Sequence, residues 1–194
     1  MRSLIGLTPL LGLALTLFGV KSAAAQYVPF GEAGIDYNYT HTNAPPGGCG
    51  CFSMNGGDAW IDYNLPRSFA IVAQVSSQHA SNIGGSGADL TLTSNLVGSR
   101  YSLHKSGQFV PFAQVLLGAA HASGSFAPGN AGYPGSANAF AMTAGGGLDM
   151  RLSRRFGVRA FQVDYYFTRF ANGVNDRQNN LRISTGLIFR FGKS

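Results

Sequence analysis

From Leu181 to Phe191 the chain reads Leu-Arg-Ile-Ser-Thr-Gly-Leu-Ile-Phe-Arg-Phe, and its side chains alternate between two environments. Leu181, Ile183, Thr185, Leu187, Phe189 and Phe191 share one parity, while Arg182, Ser184, Gly186, Ile188 and Arg190 share the other. Successive side chains of a strand point to opposite faces, so an extended chain greases one face here and puts both arginines on the other. A helix would spread the same arginines around every side. The aromatic ending, Phe189 and Phe191, fits the girdle of a membrane barrel. A half-buried strand of a soluble sandwich would satisfy this segment equally well, and the other end of the chain separates the two.

Residues 1–25 read as a secretory signal peptide: Arg2, a charge-free apolar run from Leu4 to Val20, and Ala23-Ala24-Ala25 before Gln26. Residues 26–194 are then the exported domain. Arg2 and Lys21 leave with the leader, two of the 14 basic residues, so the formal charge falls from +6 to +4. That excess is spread along the chain without a Lys/Arg cluster, which excludes a nucleic-acid partner. Only 11% of residues are charged against 12% aromatic, whereas about a quarter are charged in soluble domains. No mature segment approaches the roughly 20 uninterrupted apolar residues of a spanning helix. Lipid offers no partner to an unpaired strand edge, so residence in a membrane requires a closed barrel.

The alternation recurs along the whole mature chain. It predicts strands over 30–41, 57–65, 69–79, 89–103, 109–121, 138–152, 156–170 and from 180 onward. Tight turns are expected at Leu65-Pro66-Arg67-Ser68, at 104–108 and at Ser153-Arg154-Arg155. Longer Gly, Pro, Ser and Asn connections fall at 42–55, 80–88, 122–137 and from Asn172-Gly173. In the fourth segment Leu90 and Leu92 share one parity while Val97, Tyr101 and Leu103 share the other. That break predicts a bulge near 94–96, or an upper part standing clear of lipid. The architecture expected is an all-β, eight-stranded, antiparallel up-and-down transmembrane β-barrel, with long loops outside and both termini periplasmic.

The interior parity carries the candidate chemistry. Glu32, Asp36, Asp62, Asp149 and Asp164 face one lumen with Arg151, Arg182 and Arg190, and with Arg100 if the fourth strand keeps that facing. Eight strands leave a bore that side chains just fill, so these charges are expected to pair into a polar plug. The alternative is a narrow gated channel in which the pairs exchange; a sugar-sized pore is excluded by strand number. Tyr37, Tyr39, Tyr63, Tyr101, Tyr165 and Phe167 read as interfacial belt and lipid surface.

Cys49 and Cys51 stand in the first long loop as Gly-Gly-Cys-Gly-Cys. An exported thiol pair suggests a disulfide, although one intervening residue makes a tight, strained ring. Metal binding would need further ligands, and only His41 lies nearby in sequence, so no metal is expected. His41, His79 and His121 fall near outer strand ends and could gather at one rim with Ser76, Ser77 or Ser123 as a lipid-acting Ser-His enzyme. No G-x-S-x-G nucleophile motif supports that, and neither enzyme activity nor a cofactor is expected. A soluble lipocalin-like barrel binding an apolar ligand would invert the pattern, with apolar residues inside.

The leader, the alternating segments, Ala144-Gly145-Gly146-Gly147-Leu148-Asp149 and the ending Gly186-Leu187-Ile188-Phe189-Arg190-Phe191 together resemble the OmpA-like outer-membrane protein β-barrel domain family. The resemblance spans nearly all of the mature chain. It implies a bacterial outer-membrane location, lipid as surroundings, and insertion by the barrel-assembly machinery, with Ser184, Gly186, Phe189 and Phe191 as its C-terminal signal. Gly192-Lys193-Ser194 departs from the pattern, since the final Phe usually ends the chain in that family. No peptidoglycan-binding domain of the kind many members add is seen, and its role is not carried over. The function expected is a non-enzymatic envelope or surface-interaction barrel acting through its outer loops.

Overall fold

The computed structural model describes residues 29–43, 51–103, 107–127, 135–171 and 175–192; the proposed signal peptide lies outside them. The strands are β1 (Gly31–Thr42), β2 (Phe52–Asn64), β3 (Phe69–Ile83), β4 (Ala88–Ser102), β5 (Phe109–Gly124), β6 (Gly135–Arg151), β7 (Phe156–Thr168) and β8 (Gln178–Phe191). Each pairs antiparallel with the next, and β8 returns to β1 through Glu32↔Arg190 to His41↔Leu181, closing the barrel. The eight strands and their closed up-and-down order match the expectation.

The two faces are inverted relative to a soluble domain. Ile35 is 63% exposed and its neighbour Asp36 is 5% exposed. Outside, Ile61, Ile71, Val75, Val97 and Leu187 are bare, while inside Gln74, Gln114 and Arg182 are buried. Such a surface suits hydrocarbon and not water. Aromatic rings bound it at the end where the short turns lie: Phe30 packs on Tyr63, Phe69 on Tyr101 and Phe156 on Phe189, with ring centres 4.7, 5.1 and 5.5 Å apart. Toward the other end Tyr37 and Tyr39 face outward, donating to Asn55 Oδ1 at 2.6 Å and meeting Ser53 Oγ at 2.7 Å. Two aromatic belts thus flank an aliphatic band, the profile of a membrane barrel wall.

Three sequence expectations change. The connection read over 80–88 is mostly hairpin: β3 runs to Ile83 and β4 starts at Ala88. Its tip places Asn82, Gly84, Gly85 and Gly87 at positive φ, with the Gly87 N–H donating to Asn82 Oδ1 at 2.9 Å. β2 likewise starts at Phe52, before the expected 57.

No bulge interrupts β4 at 94–96, where Gln74↔Leu96 and Ser76↔Ser94 continue one unbroken register. The shift lies in β3, between Ala80 and Ile83. Leu90, Leu92 and Leu96 therefore face inward on the row of Arg100; the parity break marks an apolar stretch of lumen.

A bulge that the alternation did not foretell sits in β7. Arg159 pairs with Gly186 and Gln162 with Ser184, so β7 spends one residue more than β8 across this interval. Ala160 and Phe161 both face outward, and Arg159 turns into the lumen. The bulged backbone is held by Thr185 Oγ1, which donates to the Arg159 carbonyl at 2.8 Å.

Candidate functional site: the barrel lumen

Inside the turn end, acids from β1, β2 and β6 meet arginines from β4, β7 and β8. Arg159 is the hub. Its Nε and Nη2 donate to the two Asp149 carboxylate oxygens at 2.9 and 3.3 Å, and its Nη1 to Asp36 Oδ2 at 2.8 Å. Trp60 Nε1 donates to that same Asp36 oxygen at 2.9 Å. Arg100 donates to Asp62 Oδ2 at 3.3 Å and to Gln114 Oε1 at 3.0 Å. Both guanidinium carbons lie 4.4 Å from the Trp60 ring centre, and 4.6 and 4.7 Å from that of Phe112. Arginine planes stacked on rings in this way are attracted by the ring quadrupole and fill space that lysine would leave.

Below the hub, Arg190 Nε donates to Glu32 Oε1 at 2.6 Å. Farther toward the loop end, Arg182 donates to Asp164 Oδ2 at 2.8 Å and to Gln74 Oε1 at 3.1 Å, and Gln162 Nε2 reaches the same carboxylate oxygen at 2.6 Å. Arg100, Arg159, Arg182 and Arg190 are each no more than 2% exposed. Burial on this scale requires each cation to be paired and hydrogen-bonded.

Glycines make room for the large groups. Gly186 sits in register between Asp36 of β1 and Arg159 of β7. A Cβ there would fall on Asp36 Oδ1 and the Ile35 carbonyl oxygen, so the ion pair closes over a residue that has no side chain. Gly34 plays the same part for Trp60, because a Cβ would stand 2.5 Å from two ring carbons. Gly34→Ala is expected to cost about 1–3 kcal/mol through forced displacement of the indole. Urea titration of the detergent-folded barrel, followed by Trp60 fluorescence, measures it; an unchanged midpoint would show that the ring is not locked.

The model of the family described as outer membrane protein beta-barrel domain matches residues 10–189. The chain belongs to that family. Among solved structures, this outer membrane barrel is similar to Neisserial surface protein A (NspA), at 11% identity and a TM-score of 0.64, covering 83% of this chain and 97% of that one. It is also similar to Ail, the attachment invasion locus protein of Yersinia pestis, at 16% identity and a TM-score of 0.55, covering 83% and 99%. At these identities the likeness is one of fold. No curated protein matches the sequence. Family and fold place the barrel in the bacterial outer membrane, with lipid against its wall.

Within this outer membrane barrel the sequence-selected residues fall as follows. Glu32, Asp36, Asp62, Asp149, Asp164, Arg182 and Arg190 all enter the lumen contacts described above. Arg151 lies on the inner row but half-buried at the end of β6, and it is Arg159 that grips Asp149. Phe189 belongs to the aromatic belt of the turn end, while Phe191 is half-buried beside Gly31. Cys51 is exposed just ahead of β2, and Cys49 lies outside the described residues.

Among the described residues the hydrogen bonds of the three histidines run to adjoining strands rather than to Ser76, Ser77 or Ser123. His41, His79 and His121 face outward and meet Ser53, Thr91 and Asn138 of the adjoining strands, at 3.4, 3.0 and 2.8 Å. Ser76 faces the lumen, where its hydroxyl meets that of Ser94 at 2.8 Å. Among the described residues no cluster of His, Cys, Asp and Glu could hold a metal ion.

Proposed function

We propose that this outer membrane barrel is a non-enzymatic component of the cell envelope, closed to solutes, whose structural or surface-interaction role is carried by the end bearing its longer connections. The observation that supports it is the filled lumen of the turn end. The space left beside Glu32, Asp149 and Arg190 amounts to about 10 Å³, which admits one water at most. With transport closed off, the variable chemistry resides where loops reach the outside. The bonding of His79 to Thr91 and of His121 to Asn138, with Ser76 on the opposite face of the wall, favours the non-enzymatic reading. The ending with Ser184, Gly186, Phe189 and Phe191 supports recognition by the barrel-assembly machinery during insertion, and the leader over residues 1–25 supports export.

Planar-bilayer recording of the purified protein tests the closed barrel. No steady conductance is expected. A steady current that Arg159→Ala alters would favour a low-conductance gated channel instead. One observation speaks for that second reading: the Asp58 carboxylate and the Gln78 amide are buried in the lumen with no hydrogen-bond partner among the described residues, as in a wetted path.

A further inference from the structure

Toward the loop end the lumen changes character. Met54 of β2, Leu92 and Leu96 of β4, and Ala120 and Ala122 of β5 continue the inner rows as one apolar cluster, with Phe52, Leu90 and Phe126 packed against it. A polar plug alone gives no reason for greasing this part of the lumen, because inward residues of a membrane barrel are ordinarily polar. Between Met54, Leu90, Leu92, Ala122 and the Phe52 and Phe126 rings lies a cavity of about 490 Å³, bounded on its other side by Thr42, Thr168, Gln178 and Asn180. That volume falls in the range of small-molecule sites, which are mostly apolar with a few placed polar groups.

We propose that this cavity binds an uncharged amphiphile: a medium-length hydrocarbon chain or ring carrying one hydroxyl-type head. The apolar part follows from the lining. The lack of charge follows from the fact that none of the described lining residues is charged, so an ionised ligand would be desolvated without a counter-charge. The head follows from Asn180, which lines the cavity, is 4% exposed, and has no partner for its Oδ1 among the described residues. Gln178 is already engaged: its Oε1 accepts from Thr168 Oγ1 at 3.1 Å and from the Phe170 N–H at 2.9 Å, and its Nε2 donates to the Phe170 carbonyl at 3.0 Å. Those bonds hold the end of β7 at the cavity rim, while Asn180 is a buried lining group whose amide oxygen is left without a partner among the described residues. Rotation about its broad terminal amide torsion brings the free oxygen to a ligand hydroxyl. A plain hydrocarbon would leave that oxygen unsatisfied, a penalty the hydroxyl removes. The site goes beyond the envelope role and does not depend on whether the plug passes ions.

The test is amide NMR of the full barrel in lipid nanodiscs, titrated with decan-1-ol, ionised decanoate and decane. Decan-1-ol should give saturable shifts at Met54, Leu92 and Asn180, and decanoate should bind at least about tenfold more weakly. Leu92→Trp and Ala122→Phe, each filling the cavity, should abolish saturation, and Asn180→Leu should weaken decan-1-ol while leaving decane unchanged. Folding of each variant is checked by its heat-dependent gel mobility. Equal affinity for the three probes in the wild-type barrel overturns the proposal without recourse to any variant. So do shifts that grow without saturating and are the same in the filled variants, the signature of probe dissolved only in the bilayer.

Discussion

Replacing Arg159 by alanine is expected to lower the stability of the folded barrel by about 3–5 kcal/mol, the usual cost of removing one partner from a buried ion pair. Both carboxylates that lose their cation are buried, Asp36 at 5% and Asp149 at 3% exposure. Asp36 keeps only the Trp60 N–H among its described side-chain bonds, and the rings of Trp60 and Phe112 lose one of the two guanidinium groups stacked near them. Adding Asp149→Asn to Arg159→Ala should recover part of the loss, because it removes a stranded charge. Arg159→Lys should recover little, since one ammonium cannot chelate both Asp149 oxygens and still reach Asp36. Urea unfolding in micelles, read by fluorescence and by the gel-mobility shift of unheated protein, gives the numbers. A loss below about 1 kcal/mol would mean that water already satisfies these carboxylates and that the turn end is not a dry plug.

How far such a centre can be read from sequence depends on what sets parity. In β1 and β8 the alternation runs unbroken, so Asp36, Arg182 and Arg190 could be placed inside from residue order alone. Arg159 shares its parity with Phe161 and Val163 and reads as lipid-facing; the inserted residue in β7 reverses it, and nothing in the local composition announces a bulge. Arg151, two residues beyond Asp149 on the same row, looks like the natural neighbour. The actual partner comes from across the strand pair, through the shifted register Asp149↔Arg159.

In β4 the rule that leucine faces lipid failed, because Leu90, Leu92 and Leu96 line an apolar section of lumen. Parity with Arg100 was the better guide, and the inner row of β3 opposite agrees with it. Strand ends were underestimated for a different reason. Past the outer tyrosines both faces of a strand can be polar, so Ser81, Asn82 and the stretch from Ser53 to Asn55 resemble loop although the ladder continues through them. Periodicity reports the solvent on each side of a strand, and it fades wherever the two sides become alike.

The outer wall offers the sharpest contrast with a soluble barrel. Leu187→Arg is expected to cost about 1–3 kcal/mol, between the roughly 2–4 kcal/mol of a guanidinium facing lipid at the bilayer midplane and the roughly 0–1 kcal/mol of the interface. Leu187 is 60% exposed, stands in register between Ile35 and Val158, and lies one outward position inside the Phe189 belt. Thr91→Arg, also outward-facing but beyond the outer tyrosines and beside His79, should cost only about 0–1 kcal/mol because the headgroup region hydrates the charge. Paired unfolding titrations in lipid vesicles provide the comparison. In water the order would vanish, since an arginine replacing an exposed leucine is close to neutral or improves solubility. A large penalty at 187 with almost none at 91 therefore requires a hydrocarbon layer around this height of the wall. Equal and small effects at both positions would place the whole exterior in water and leave the aliphatic band between the two aromatic belts without a purpose.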